Sequence, residues 1–348
     1  MALLIHWYDF LCFAIVVGAI FSSLWMLLQR KNIRKYNTKY ESLLISRSEE
    51  EDEQYISVTR GPSSSHLLSS SQLWTSCWRD VNPVWLLVFR FFSFLVMAGI
   101  LSLDVRQHGT VMFVYYTEYV LLLLLLLLLQ FLGTIISAQG CWKNSKKPVE
   151  ENEERDVCTE KKLEESRTTT AISFWANKVR ATIKVQSYNH EQEEIEQRAG
   201  FVGYLMQTVY QTCAGAVILT DLVFWGLIVP FISIEHLKLN LIMGCMHTLN
   251  AVFLLLDTAL NSLPFPWFRL AYFLLWSCIY VIFQWVLHAC GFPWWPYPFL
   301  ELSTPWAPLW YFCLALIHIP CYGFYALIVK LKNAAFSKWF PHAYVGLQ

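Results

Sequence analysis

Thr117 and His247, a hydroxyl and an imidazole set inside apolar stretches, are the residues of this chain best suited to chemistry. Polar groups are costly in a hydrocarbon core, so those found there have a task, structural or chemical. A threonine hydroxyl becomes a useful nucleophile only when a base takes its proton, and histidine is the usual base. An acid such as Asp221 or Asp257 would orient that imidazole. The constellation suits acyl transfer from an ester and requires no metal and no organic cofactor. His288 and Glu301 join Asp221 as candidates for orienting the base or binding a substrate.

The elements that must position these groups are membrane helices. The chain is 56% hydrophobic and 15% charged, and its apolar residues are gathered into long runs. Crossing a hydrocarbon core of roughly 30 Å takes about 20 apolar residues in a helix. Seven segments qualify: Leu3–Leu28, Pro83–Leu103, Val111–Ala138, Phe201–Ile232, Leu239–Asn261, Trp267–Ala289 and Pro308–Leu331. Runs such as Leu121–Leu129 lack the alternation of a lipid-facing barrel strand. The predicted fold is therefore all-α, a polytopic integral membrane bundle of about seven transmembrane helices. Its divisions are a first helix over 1–28, a loop over 29–82, helices two and three over 83–138, a charged loop over 139–200, helices four to seven over 201–331, and a tail over 332–348.

Loop charges orient the bundle. No basic residue precedes the first apolar stretch and the basic Gln29–Tyr40 follows it, which fits an uncleaved signal-anchor with its N-terminus outside; a cleaved signal peptide is the other reading. With the N-terminus outside, the cytoplasmic side receives Arg30, Lys31, Arg34, Lys35, Lys39, Lys143, Lys146, Lys147, Lys330, Lys332 and Lys338. The outer side receives only Arg106 and Lys238, and the C-terminus is cytoplasmic. The formal net charge of zero hides this asymmetry and argues against a nucleic-acid partner; membrane lipids are the expected surroundings. Endoplasmic reticulum and plasma membrane both fit.

The two cytoplasmic loops have low hydrophobicity and high charge density, which favours disorder. The serine runs of the first, Ser63–Ser65 and Ser69–Ser71, read as phosphorylation sites or as a solvated spacer. Ten cysteines form no CxxC pair; Cys77 and Cys141 lie at membrane edges where palmitoylation is one option and plain packing the other.

Depth can be counted along the helices. Thr117 and His247 each lie about six to eight residues in from the outer end of their spans, roughly 9–12 Å below the boundary at 1.5 Å per residue. Asp221 reaches a comparable or slightly greater depth, and His288 and Glu301 sit at the outer mouth. The cytoplasmic halves of the spans carry fewer such groups. Asn240, His247, Asn250, Asp257 and Asn261 fall within an arc of about 100° on the fifth span, a stripe expected to face the bundle interior or a watery cavity. Gln207, Thr208, Gln211 and Thr212 form a similar group on the fourth. Interhelical hydrogen bonds, worth about 1 kcal/mol or less each, are the structural alternative for both. Arg90 is close enough to the cytoplasmic side to snorkel. The nine histidines form no HxxxH or HExxH motif, and no P-loop or GxSxG elbow is present. The seventh span has no Asn-Pro-x-x-Tyr and the third no following Asp/Glu-Arg-Tyr, which speaks against a G-protein-coupled receptor.

Met246-His247-Thr248 with the apolar run to Asp257 resembles the histidine-bearing helix of the androgen-induced protein and androgen-dependent TFPI-regulating protein family. So does Trp285-Val286-Leu287-His288, continuing through Gly291 to Tyr297-Pro298-Phe299-Leu300-Glu301; Asp221–Trp225 and Tyr115-Tyr116-Thr117 match more weakly. Rolling-stone-type membrane proteins, including plant members, are related. The resemblance covers residue 83 onward and implies a membrane threonine hydrolase that cleaves fatty-acid esters of hydroxy fatty acids. It implies Thr117 as nucleophile and His247 as base. The alternative it leaves open is a non-enzymatic, rolling-stone-like protein with a structural, signalling or small-molecule transport role.

Overall fold

The computed structural model describes residues 6–48, 70–109, 117–164, 200–231, 241–292, 295 and 297–345. Seven helices carry the fold: α1 (Trp7–Ser48), α2 (Pro83–His108), α3 (Thr117–Glu164), α4 (Phe201–Val223), α5 (Leu241–Leu260), α6 (Leu270–Ala289) and α7 (Ala307–Trp339). Strands are absent among the described residues apart from an isolated bridge, Trp78 to Tyr344. Six of the helices are long and apolar enough to cross a membrane, and α5 contributes a shorter apolar stretch, Gly244–Leu260. The architecture is that of a multi-pass helical membrane protein.

Local chemistry sets the helix ends. Asn82 caps α2 by accepting the Val84 N–H at 3.0 Å, and Pro83 occupies the first turn, where its missing N–H costs nothing. Gly109 ends α2 at φ 70, a conformation other residues adopt only with strain. After α5, Pro264 and Pro266 keep the chain extended until the 3-10 turn Trp267–Arg269 starts α6. The carbonyls exposed by this link are taken up by side chains. Gln207 and Gln211 both donate to the Pro264 carbonyl, at 3.1 and 2.7 Å, and Tyr322 donates to that of Pro266 at 2.8 Å.

α4 is the hub, packed against α3, α5, α6 and α7. Its small residues allow this close approach. A Cβ on Gly215 would fall 2.5 Å from the Phe273 ring, so glycine is what lets α6 lie against α4 there. α1 packs on α6 and α7 at one flank; α2 packs on α3 and α5 at the other. The leucine run of α3 resolves into two faces. Leu122, Leu123, Leu126 and Leu129 are buried, whereas Leu124 and Leu128 are exposed.

One end of the bundle, the basic end, gathers Arg30, the 70–82 segment, Trp267 and Lys332; the other carries Tyr8, His288 and Ser303. α1 is held at both, Tyr8 donating to the Ser303 carbonyl at 3.2 Å and Arg30 lying 5.2 Å from the Phe268 ring centre. Exposed tryptophans mark both ends, with Trp85, Trp267 and Trp339 at the basic end and Trp7 and Trp306 opposite. Their amphipathic rings suit the interfacial zones of a bilayer.

Parts of both hydrophilic loops are helical. α1 continues through Ser48 and α3 through Glu164, along sequence rich in the strong helix formers Lys and Glu. The segment before α2 docks onto the bundle. Leu73 and Cys77 are buried, and the Cys77 and Trp78 side chains donate to the Ala259 carbonyl at 3.3 and 3.2 Å. Cys77 is thus an interior capping group for α5. Of the two readings of Cys77, packing and palmitoylation, burial favours packing, because its sulfur is spent on a helix-end carbonyl.

Candidate functional site

The fourth and fifth spans meet around a histidine–carboxylate pair. His247 Nδ1 and Asp221 Oδ1 are 3.0 Å apart, with the histidine side chain 7% exposed and the aspartate 22%. An ionised carboxylate only accepts, so Nδ1 carries the proton and Nε2 is the nitrogen able to take another. Phe224 stacks on the imidazole, ring centres 3.9 Å apart and planes within 8°. Asp221 lies one turn before Phe224, where α4 ends and the helix widens into a π turn over Phe224–Ile228. Such π turns often accompany functional sites, since they re-aim side chains on an otherwise regular helix. One turn along α5, Asn250 is 2% exposed, and its Oδ1 and Nδ2 have no hydrogen-bond partner among the described residues. A buried carboxamide in that state is stabilised by any occupant able both to donate and to accept.

The structure brings Asp221 and His247 together and gives His288 and Glu301 contacts of their own. His288 packs against Trp295, ring centres 4.3 Å apart, and Glu301 accepts a hydrogen bond from Ser303. Thr117 is the first residue of α3; its side chain lies outside the described residues, as does Asn240. Among the described residues, no group of three or more His, Cys, Asp or Glu is arranged to hold a metal ion.

A second polar assembly occupies the basic half, where the sequence suggested few polar groups. Arg90 is 1% exposed and does not snorkel. Its Nε pairs with Asp257 Oδ1 at 2.8 Å, and Nη1 donates to the Leu73 carbonyl at 2.8 Å and to Ser137 at 3.0 Å. Asp257 Oδ2 accepts from Asn261 at 2.9 Å. The reason for the inward turn is the availability of partners: a carboxylate, a hydroxyl and a carbonyl replace the water that snorkelling would have reached. Gly133 leaves room for the stem, since a Cβ there would lie 2.9 Å from Arg90 Cδ. Beside this pair, Thr258 bonds the hydroxyls of Tyr210 and Tyr325, both at 2.6 Å. Lys332 caps the end of α5 through the Thr258 and Asn261 carbonyls at 3.0 and 2.8 Å. Asp257 is therefore committed to Arg90, and Asp221 is the acid on His247.

A third polar pair was not visible in the sequence. His318 Nε2 lies 2.7 Å from Ser277 Oγ, and His318 Nδ1 lies 2.6 Å from the Leu314 carbonyl. The two side chains come from residues 41 positions apart on α6 and α7, and no motif surrounds either one.

No protein-family model matches this chain, and neither a curated protein nor a solved structure does.

Proposed function

We propose that the chain is a membrane lipid-ester hydrolase of the threonine type, of the androgen-induced protein kind, acting on fatty-acid esters of hydroxy fatty acids. The observation that carries this reading is the 3.0 Å contact between Asp221 and His247 within the bundle. An imidazole held by a carboxylate at Nδ1 carries its basic lone pair on Nε2, the position a general base uses. Thr117 attacks the acyl carbonyl while its proton passes to His247 Nε2. The alcohol oxygen leaves with that proton, and water then repeats the sequence on the acyl-threonine. Asp221 fixes the tautomer, and Asn250 offers a donor to the carbonyl oxygen. The loop charges favour an N-terminus outside and a substrate reaching the site from the outer or lumenal leaflet, in the endoplasmic reticulum or plasma membrane.

The test is turnover of a hydroxy-fatty-acid ester by purified protein in detergent. Thr117→Ala is expected to abolish it, His247→Ala to lower kcat by about 100-fold or more, and Asp221→Asn to lower it less. Turnover in Thr117→Ala equal to wild type would remove the nucleophile assignment.

A non-enzymatic, rolling-stone-like role is the second reading. The Arg90–Asp257 assembly favours it, because that set of polar groups joins α2, α3 and α5 without any evident chemistry. Substrate flux into liposomes without ester cleavage would select a transporter.

A further inference from the structure

We propose that Ser277 and His318 form a separate nucleophile–base pair that accepts the acyl group of a small, slender ester in the cavity between α1, α6 and α7. The hydrogen bonding dictates the tautomer. The Leu314 carbonyl can only accept, so the proton of the neutral imidazole is on Nδ1, 2.6 Å away. Nε2 then holds the lone pair, and the Ser277 hydroxyl, 2.7 Å distant, donates to it. This is the order of a serine activated by a histidine that a third group orients.

The surroundings agree with a reactive site. Ser277 and His318 both line a cavity of about 50 Å³ whose wall is otherwise largely apolar, including Val16, Leu274, Val281 and Ala315. His318 is 4% exposed and Ser277 is half-buried, so the pair is sheltered at the cavity wall. Phe273 backs the imidazole at 4.5 Å between ring centres. A hydrogen bond that merely tied α6 to α7 would not require the cavity beside it. The pair is also distinct from Asp221 and His247, which belong to α4 and α5.

In the step proposed, Ser277 Oγ bonds to the acyl carbon as its proton moves to His318 Nε2. The carbonyl pair shifts to oxygen and returns, breaking the bond to the alcohol oxygen, which takes the proton from Nε2. Water hydrolyses the acyl-serine by the same route. The Tyr311 hydroxyl at the cavity wall already donates to the Leu300 carbonyl at 3.0 Å, so it is not a donor to the developing oxyanion. Acylation is therefore expected to be easier to detect than turnover.

The experiment treats purified full-length protein in detergent with a short-chain alkyl fluorophosphonate and maps adducts by peptide mass spectrometry. The phosphorus–fluorine bond breaks, a serine–phosphorus ester forms, and fluoride leaves. Labelling of Ser277 is expected in wild type and in Ser22→Ala, an exposed control on α1. His318→Gln, which retains a hydrogen-bonding partner but no base, should slow labelling by about 100-fold with the melting profile preserved. Ala315→Leu, which fills the cavity, should block it. Labelling of Ser277 should persist in His247→Ala, which separates this site from the Thr117 reading. Absence of a Ser277 adduct in folded wild type, or an undiminished rate in His318→Gln, would overturn the assignment; so would loss of the Ser277 adduct in His247→Ala.

Discussion

Asp257→Asn tests the reading of the basic half most directly. The substitution keeps the shape of the side chain and one acceptor for Arg90 Nε, but leaves the guanidinium, 1% exposed, without its counter-charge. Arg90 would retain only the Leu73 carbonyl and Ser137, both uncharged, and Lys332 sits on the neighbouring Thr258 and Asn261 carbonyls as a further cation. Removing one member of a buried pair typically costs about 3–5 kcal/mol, because the remaining charge is uncompensated. Asp257→Asn should fall near the lower figure, about 3 kcal/mol, since the retained amide oxygen still accepts. Replacing both partners, Arg90→Met with Asp257→Leu, deletes the charges together and should recover most of the loss, leaving a deficit within about 1.5 kcal/mol. Reversible unfolding in mixed micelles reads these free energies. A cost below about 1 kcal/mol for Asp257→Asn would refute the argument, as would a double variant no more stable than the worse single one.

Two further outcomes follow from the packing at the same end. A Cβ on Gly140 would lie 2.2 Å from the Trp74 ring, so Gly140→Ala should destabilise by about 1–3 kcal/mol in the same micelle assay, with Trp74→Leu relieving it. Burial pushes the Cys77 thiol above its ordinary value and raises Tyr344 to about 12. Both folded-state values exceed the unfolded ones, so stability is fully present at neutral pH and declines as the pH rises past about 9, where the unfolded thiol releases its proton first. Cys77→Ala should flatten that alkaline decline in a melting series; an identical slope would show that the thiol is not the group responsible.

The spans were legible because the membrane constrains both length and composition. Pro83, Phe201, Trp267 and the final helix begin or run close to where the apolar runs place them. The polar face of α5 was legible for a related reason, since a 3.6-residue period puts His247, Asn250, Asp257 and Asn261 on one side whatever the neighbours, and all four are buried. The helical continuations beyond Leu28 and Ala138 were not, because charged Lys- and Glu-rich sequence suits a solvated helix as well as a disordered loop. Ser277 and His318 escaped notice because each is isolated in its own helix and only the α6–α7 contact makes them a pair.

By itself, then, the sequence determined the all-helical membrane class, the approximate spans and which face of α5 turns inward, for these follow from hydropathy and helical period alone. Tertiary structure decided the partners. Nothing in a run of identical residues tells Leu122 from Leu124, yet one is buried and the other exposed. Two acids were equally available to His247; the packing of α4 against α5 placed Asp221 there and left Asp257 to α2 and Arg90. Period fixes the direction of a side chain about its own helix axis, whereas what it meets depends on which helix lies alongside and at what height, and that is a property of the assembled bundle.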